Sequence, residues 1–480
     1  MDYREYLELF KINTSDVNKV LQTALSHGAR FADLYFEYSV ANSLTLKEHI
    51  VGNAASHQDY GIGIRAVKGE STGYAYAEST ELEDMLRAAR VAASIADSNN
   101  NLPLAIGIES RYDFKQVGRP AVSPYHIEKG WDEYTVKQKV PVLQTLEKSI
   151  FSKGDEFVKV ICSLRDSLTH VLYFNSESET FCDTMPMVTL IAQCVGQKDG
   201  KIENGSCSRS FRCGFEMLSD ELIEEVASRA AAQCRFMFTA KQPKGGEMPV
   251  VLASGASGIL LHEAVGHAFE ADFIRKGTSI FTDSLGKRIC NKGINIVDSG
   301  LVQRNRGSLN FDDEGIPSQE TYLVRDGVLE SFMHDRISAN YFGVKSTGNG
   351  RREDFRFPPI PRMRCTYMES GDCEESQAIA SVRNGIFVKD FSNGQVQIGE
   401  GDFTFFVKAG YLIENGRLTQ PVKDINIIGN GPQVLKDITM VCNNAEIANS
   451  SWVCGKEQQC AVSCGMPTVA VSKLIVGGES

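Results

Sequence analysis

The sequence predicts an α+β protein, with a mixed domain of helices on a sheet over residues 1–240 and a largely antiparallel β domain around one central helix over 241–480. Three observations predict this. Helical and strand-like periodicities alternate through the first half. Past Gly277 the chain is mostly short apolar runs separated by turn formers. Between the two, Met248 to Phe269 is the most apolar stretch, and it reads as a buried strand, a turn and a helix. A chain of 480 residues has ample material for large cores in about two or three domains.

In order, residues 15–30 form an amphipathic helix with Val17, Val20, Leu21 and Ala24 at helical spacing and Gly28 near its end. Strands are expected at Phe31–Ser39, Ser43–Glu48, Tyr60–Val67 and Gly73–Ala77. The acid-rich start Ser79-Thr-Glu-Leu-Glu-Asp opens a helix to about Ala96, which Asn99-Asn-Asn-Leu-Pro103 ends. A similar order follows. A helix spans about Val140–Ser152, strands lie near Glu156–Ser163, His170–Asn175 and Pro186–Gln193, and a second acid-capped helix covers Ser219–Gln233. Helix, strands, helix, twice over, predicts an internal duplication. The cluster Lys241-Gln-Pro-Lys-Gly-Gly-Glu247 marks the domain boundary. Pro249–Ala253 is then a short strand, Ser254–Gly258 a turn with Ser257 as a candidate cap, and the central helix follows. Asp326-Gly327 and Asn415-Gly416 predict two hairpin turns.

Composition excludes several classes. A net charge of −11 disfavours direct contact with nucleic acid, which calls for a basic face. The apolar run at 248–269 is interrupted by His262, Glu263 and His267, so it does not read as a membrane span. Met1-Asp-Tyr-Arg-Glu-Tyr does not open like a signal peptide, and thirteen cysteines then read as thiols of a reducing cytoplasm.

The central helix carries His262-Glu263-Ala-Val-Gly266-His267-Ala-Phe-Glu270-Ala-Asp272. Imidazoles are common zinc ligands, and a carboxylate beside a metal-bound water can act as its general base. The familiar spacing is H-E-x-x-H, with both His on one helical face. Here the spacing is one residue longer. Five residues advance roughly 500° around a regular helix, which leaves the two rings about 140° apart. A π-type turn of roughly 4.4 residues restores one face, so the spacing predicts a widened turn ending near Gly266. With 8 His and 61 acidic residues in the chain, a chance match is expected about 0.02 times.

A catalytic zinc normally takes three protein ligands. Besides the two His, the residues offer His334, Glu270 and Cys454, and spacing does not choose among them. Cys454, Cys460 and Cys464 lack the C-x2-C spacing of structural zinc sites.

Further segments carry a resemblance. They are Ser346-Thr-Gly-Asn-Gly-Arg-Arg352, Pro358-Pro-Ile-Pro-Arg362, Gly401-Asp-Phe-Thr-Phe405, Tyr411–Gly416, Pro421-Val-Lys423, Ile428-Gly-Asn-Gly-Pro432 and Cys454-Gly-Lys456. Together with the His motif they resemble the TldD/PmbA family, metallopeptidases also described as modulators of DNA gyrase. The chain keeps the HExxxH motif and so is similar to the TldD type. The resemblance implies that His262, His267 and Cys454 hold one Zn2+ per chain, with Glu263 as catalytic base. It also implies unfolded or short peptides as substrates, and a dimer: a homodimer or a heterodimer with a TldE/PmbA-like paralogue. Cys460 and Cys464 depart from the family pattern. Glu270 and Asp272 are candidate acceptors for an imidazole N–H behind the metal. Gly348–Arg352 is either a turn or part of the substrate cleft. Two other readings stand beside the peptidase. One is a non-catalytic, partner-binding regulatory subunit with a structural metal or none. The other is a redox enzyme using Cys460 and Cys464.

Overall fold

The computed structural model describes residues 1–97, 112–397 and 399–478. Its first half is one large, mainly antiparallel sheet with helices packed on it, and the short strand Lys115–Gln116 joins its edge in parallel. Two helices open the chain, α1 (Tyr3–Leu9) and α2 (Thr14–Leu25). A meander of β1 (Phe31–Lys47), β2 (Ile50–Lys68) and β3 (Ser71–Ala77) leads into α3 (Leu82–Asp97). Then α4 (Val136–Phe151) precedes a second meander, β4 (Phe157–Asn175), β5 (Glu179–Lys198) and β6 (Lys201–Phe211), and α5 (Asp220–Thr239) closes the set. The strand order is β3-β2-β1-β4-β5-β6. Each half of the sheet is thus a helix–three-strand–helix unit, and the two units meet at β1 and β4. The duplication read from the sequence is present as architecture. Val17, Val20, Leu21 and Ala24 of α2 are fully buried, and each large apolar side chain so buried contributes about 1.5–3 kcal/mol. The break expected at Asn99–Pro103 lies outside the described residues.

The strands are longer than their sequence suggests. Phe31–Ser39 and Ser43–Glu48 belong to one strand, as do Glu156–Ser163 and His170–Asn175. The polar residues between them read as breaks, but they pair across the ribbon instead. Asn42 Nδ2 donates to Asp166 Oδ1 at 2.9 Å, and the hydroxyls of Ser39 and Thr169 lie at 2.9 Å. Cross-strand pairs of this kind satisfy what a turn would otherwise satisfy.

The second half begins with β7 (Gly246–Leu252) and the helix α6 (Gly258–Leu261), and α7 (Ala271–Arg275) follows a few residues later. Strands β8 (Ile296–Ser299), β9 (Glu320–Arg325) and β10 (Cys365–Met368) come next. They are followed by β11 (Asn384–Gln397), β12 (Asp402–Glu414), β13 (Arg417–Val422) and β14 (Ile425–Asn430). The last four are β15 (Val453–Lys456), β16 (Gln458–Ala461), β17 (Ser463–Met466) and β18 (Val469–Gly477). The order β11-β7-β18-β14-β12 closes on itself through β12–β11 pairing, giving a five-stranded barrel. Strands β9-β8-β10-β17 form a second sheet. The Asp326-Gly327 and Asn415-Gly416 turns are both present, each with two consecutive positive φ angles as a tight hairpin requires. No helix among the described residues is long and apolar enough to cross a membrane.

Candidate metal centre

The two His residues sit on a helical run that changes pitch between them. After α6 the chain makes a π turn over His262–Gly266, in which His267 N–H donates to the His262 carbonyl five residues back, and then a 3-10 turn over His267–Phe269. This is the widened turn that the spacing predicted. It brings the imidazole centroids within 5.0 Å, with the rings at 79°. Gly266 has ordinary helical φ and ψ, so its glycine is not needed for backbone freedom. It is needed for space, since a Cβ there would collide with the sulfur of buried Met363. The run is pinned at its start as well. A Cβ on Gly258 would lie 2.6 Å from Gly465 Cα on β17. Ser257 does not cap α6, because its side chain accepts no bond from the helix.

Cys454 reaches this run from β15. Its Sγ lies 3.1 Å from His267 Nε2. One donor atom from each of His262, His267 and Cys454 lies within 4.8 Å of the others, and all three residues are buried. Burial opposes ionisation of the Cys454 thiol, but the two imidazoles hold it down at about 5. It is therefore a thiolate at neutral pH, the form that ligates metals. His262 Nδ1 is buried with no hydrogen-bond partner. Two imidazoles and a thiolate converging in this way fit a zinc ion.

The remaining sequence candidates separate clearly. Glu263 Oε2 is 3.9 Å from His267 Nε2, and its side chain is 22% exposed, open to solvent where the three cluster residues are not. Glu270 accepts from His267 Nδ1 at 2.9 Å and lies behind the ring, not beside Cys454. Burial works to raise the Glu270 carboxyl, but Lys456 and His267 hold it down at about 2. Asp272 does not touch an imidazole. It binds Lys456 Nζ at 2.8 Å, and Lys456 in turn binds Glu270 at 3.0 Å. His334 is not brought to the cluster. It packs between Phe332 and Phe342, and burial lowers its pKa to about 4.

Two residues in the quoted motifs acquire positions that spacing did not reveal. Lys456 carries the chain of contacts from Asp272 to Glu270. Arg362 donates to the Cys454 carbonyl at 2.6 Å and the Gln458 carbonyl at 2.8 Å, which clamps the β15–β16 hairpin. The available signal was period two: Lys456 is two residues from Cys454, so both face one side of a strand. No such signal existed for Arg362. All thirteen cysteines are free thiols. Cys460 pairs with Cys454 across the hairpin, and Cys464 is fully buried on β17.

The fold and the cluster together define an α+β protein with a buried His–His–Cys centre. Three family models match the chain in succession: PmbA/TldA metallopeptidase domain 1 at residues 32–96, the central domain at 129–234 and the C-terminal domain at 245–478. A Haemophilus influenzae protein named metalloprotease TldD homolog is 37% identical over 94% of this chain and 93% of its own length. A Saccharolobus solfataricus protein named zinc metalloprotease TldD homolog is 29% identical over 96% of this chain and 99% of its own. The chain belongs to the PmbA/TldD family. Solved structures share its fold. One is a Thermotoga maritima protein described as a candidate modulator of DNA gyrase (TM-score 0.76, 21% identity, 96% of this chain and 99% of that one). Another is TldE of Thermococcus kodakarensis (TM-score 0.72, 17% identity, 96% and 100%).

Proposed function

We propose that the protein is a zinc-dependent peptidase acting on unfolded or short peptides, with His262, His267 and Cys454 holding one zinc ion and Glu263 as general base. The observation that carries this reading is the convergence of those three donor atoms within 4.8 Å, beside a solvent-reaching carboxylate. The names of relatives that cover nearly the whole chain support it. A zinc ion at this centre would polarise the scissile carbonyl and acidify a water. Glu263 then takes the proton from the attacking water and returns it to the leaving amine. Glu270 accepts the His267 Nδ1 proton, which leaves Nε2 free to ligate, and Lys456 keeps Glu270 ionised. Of the expected strand edge Gly394–Ile398, Ile398 lies outside the described residues; among those described, Gly394–Gln397 of β11 pairs on one side only, and its other side would bind an extended peptide through main-chain hydrogen bonds, which suits substrates of varied sequence.

Membership of the PmbA/TldD family is the ground for proposing a dimer, either of two copies or with a TldE/PmbA-like paralogue; a light-scattering mass at working concentration tests it. A division into residues 1–240 and 241–480 is proposed too, supported by the change from the single sheet to the barrel. The peptidase reading is tested with Glu263→Gln and Cys454→Ala. Glu263→Gln should keep its zinc by elemental analysis and lose about 10²–10⁴-fold in kcat on an unfolded peptide. Cys454→Ala should lose most of its zinc. Wild-type turnover by Glu263→Gln with metal bound would sink the mechanism and favour a regulatory subunit.

A further inference from the structure

Four arginines converge where the N-terminal sheet meets the second half. Arg212 follows β6, Arg306 lies in the loop after β8, and Arg351 and Arg352 end the Gly348-Asn-Gly-Arg-Arg run. They are 7%, 9%, 4% and 4% exposed. With Glu37 and Asp313 they line a cavity of 270 Å³. Gln459 and Cys460 of β16 form another wall, and Cys460 faces Cys454 across the hairpin. The cavity therefore adjoins the metal centre.

Among the described residues, none of the four arginines forms an ion pair with a carboxylate. Arg352 lies over the Tyr35 ring and donates to the Asp313 carbonyl. Arg306 donates to the Trp452 carbonyl at 2.9 Å and Ser210 Oγ at 2.7 Å. Arg351 donates to the Met363 carbonyl at 2.7 Å, and its Nε has no partner. Arg212 is the least satisfied. It packs over the Tyr125 ring, its Nε has no partner, and its guanidinium donates no hydrogen bond among the described residues. A guanidinium stays charged in a protein, and burying one without a counter-charge is costly.

Three carboxyls line the cavity, buried Glu37 and Asp313 and exposed Glu353. Burial, then Asp354 and Asp313, push Glu37 up to about 8. Asp313 is raised as well, chiefly by burial. Arg306 is pushed down to about 10 by burial and by the neighbouring Arg212 and Arg351. Four buried guanidinium groups thus outnumber the three carboxyls at the cavity and leave it positively charged.

We propose that this cavity binds a carboxylate of the peptide substrate, held by the guanidinium groups of Arg212, Arg306 and Arg351. That the ligand is a peptide rests on the peptidase reading above. That it is a carboxylate rests on the arginines alone, since planar guanidinium donors match a carboxylate. The volume suits one terminal or acidic residue rather than a long segment. The carboxylate is either the peptide C-terminus or an Asp or Glu side chain, and the chemistry required is the same.

The test uses zinc-loaded Glu263→Gln protein and one fluorescent peptide sequence in four forms: free acid or C-terminal amide, each with an internal Glu or with Gln in its place. Binding is read by anisotropy. One carboxylate should tighten Kd by about tenfold or more over its neutral counterpart. A dependence on the C-terminal acid identifies the terminus, and a dependence on Glu identifies the side chain. In the same background Arg212→Gln should bring that ratio close to one, while Arg212→Lys keeps part of it. Equal binding of all four forms by the protein with its arginines intact overturns the proposal, whatever the variants do. A carboxylate preference that survives both Arg212→Gln and Arg351→Gln, with unchanged circular dichroism, also overturns it. The two readings fail separately. If the protein with Glu263 intact cleaves no form but the binding preference stands, the peptidase reading falls and the carboxylate site remains. If it cleaves every form with equal kcat/KM and binds them equally, the reverse holds.

Discussion

At the scale of single residues, the centre depends on side chains that would not themselves touch a metal. Glu270 fixes the His267 tautomer through a 2.9 Å bond, and Lys456 and Asp272 complete the chain behind it. Glu270→Gln should weaken zinc binding by about 10–100-fold, read by competition with a chromophoric chelator. An unchanged affinity would mean that the His267 ring is held by packing alone. Glu37 gives a prediction in pH. Its carboxyl is raised from 4.5 to about 8 in the folded protein, first by burial and then by Asp354 and Asp313. The folded state therefore keeps a proton that the unfolded chain gives up near 4.5. The stability this supports is complete below 4.5 and is lost as pH rises through 8, at about 1.4 kcal/mol per unit. Glu37→Gln, shaped like the protonated acid, should gain about 3 kcal/mol over the wild type between pH 5 and 7.5 in urea unfolding. The two His and Glu263 were legible as a motif from residue types alone. Cys454 was not separable by spacing from Glu270 and His334, because a ligand 187 residues away leaves no local periodicity. Arg212 and Arg306 carried no signal, since a lone arginine reads as surface until its neighbours are known.

At the scale of elements, the π turn is the device that makes an H-E-x-x-x-H spacing workable, and its existence followed from angular arithmetic. Its causes did not. The turn is held by close backbone approaches at Gly258 and Gly465, and by the Met363 sulfur filling the space over Gly266. Gly266→Ala should destabilise the fold by about 1–3 kcal/mol through overpacking and lower the zinc content of purified protein, measured by urea unfolding and elemental analysis. Full zinc occupancy at wild-type stability would show that Met363 simply moves aside. Hairpin turns were legible because Asp-Gly and Asn-Gly specify positive φ locally. The lengths of β1 and β4 were not, because their central polar residues are satisfied only by one another.

At the scale of the whole molecule, the two halves share buried charge. Arg65 of β2 pairs with Asp33 of β1 and, at 2.6 Å, with Glu314 from the second half; all three side chains are fully buried. Arg65→Met leaves two carboxylates without their cation and should cost about 3–5 kcal/mol. That loss should appear in one cooperative urea transition followed by both tryptophans, Trp131 in the first half and Trp452 in the second. Two separated transitions in the wild type would show instead that the halves fold independently. The order of elements and the internal duplication were legible in the sequence. The closure of the barrel was not, because β11–β7 pairing joins strands more than a hundred residues apart.

The distance along the chain between His267 and Cys454 has a consequence for synthesis. A ribosome that has just exposed the two His has not yet made the thiol, and the intervening strands must fold before the three donors can meet. Chemistry that needs all three donors would therefore wait until folding is nearly finished. A metal held by all three donors would likewise be taken up late, once the C-terminal strands are in place.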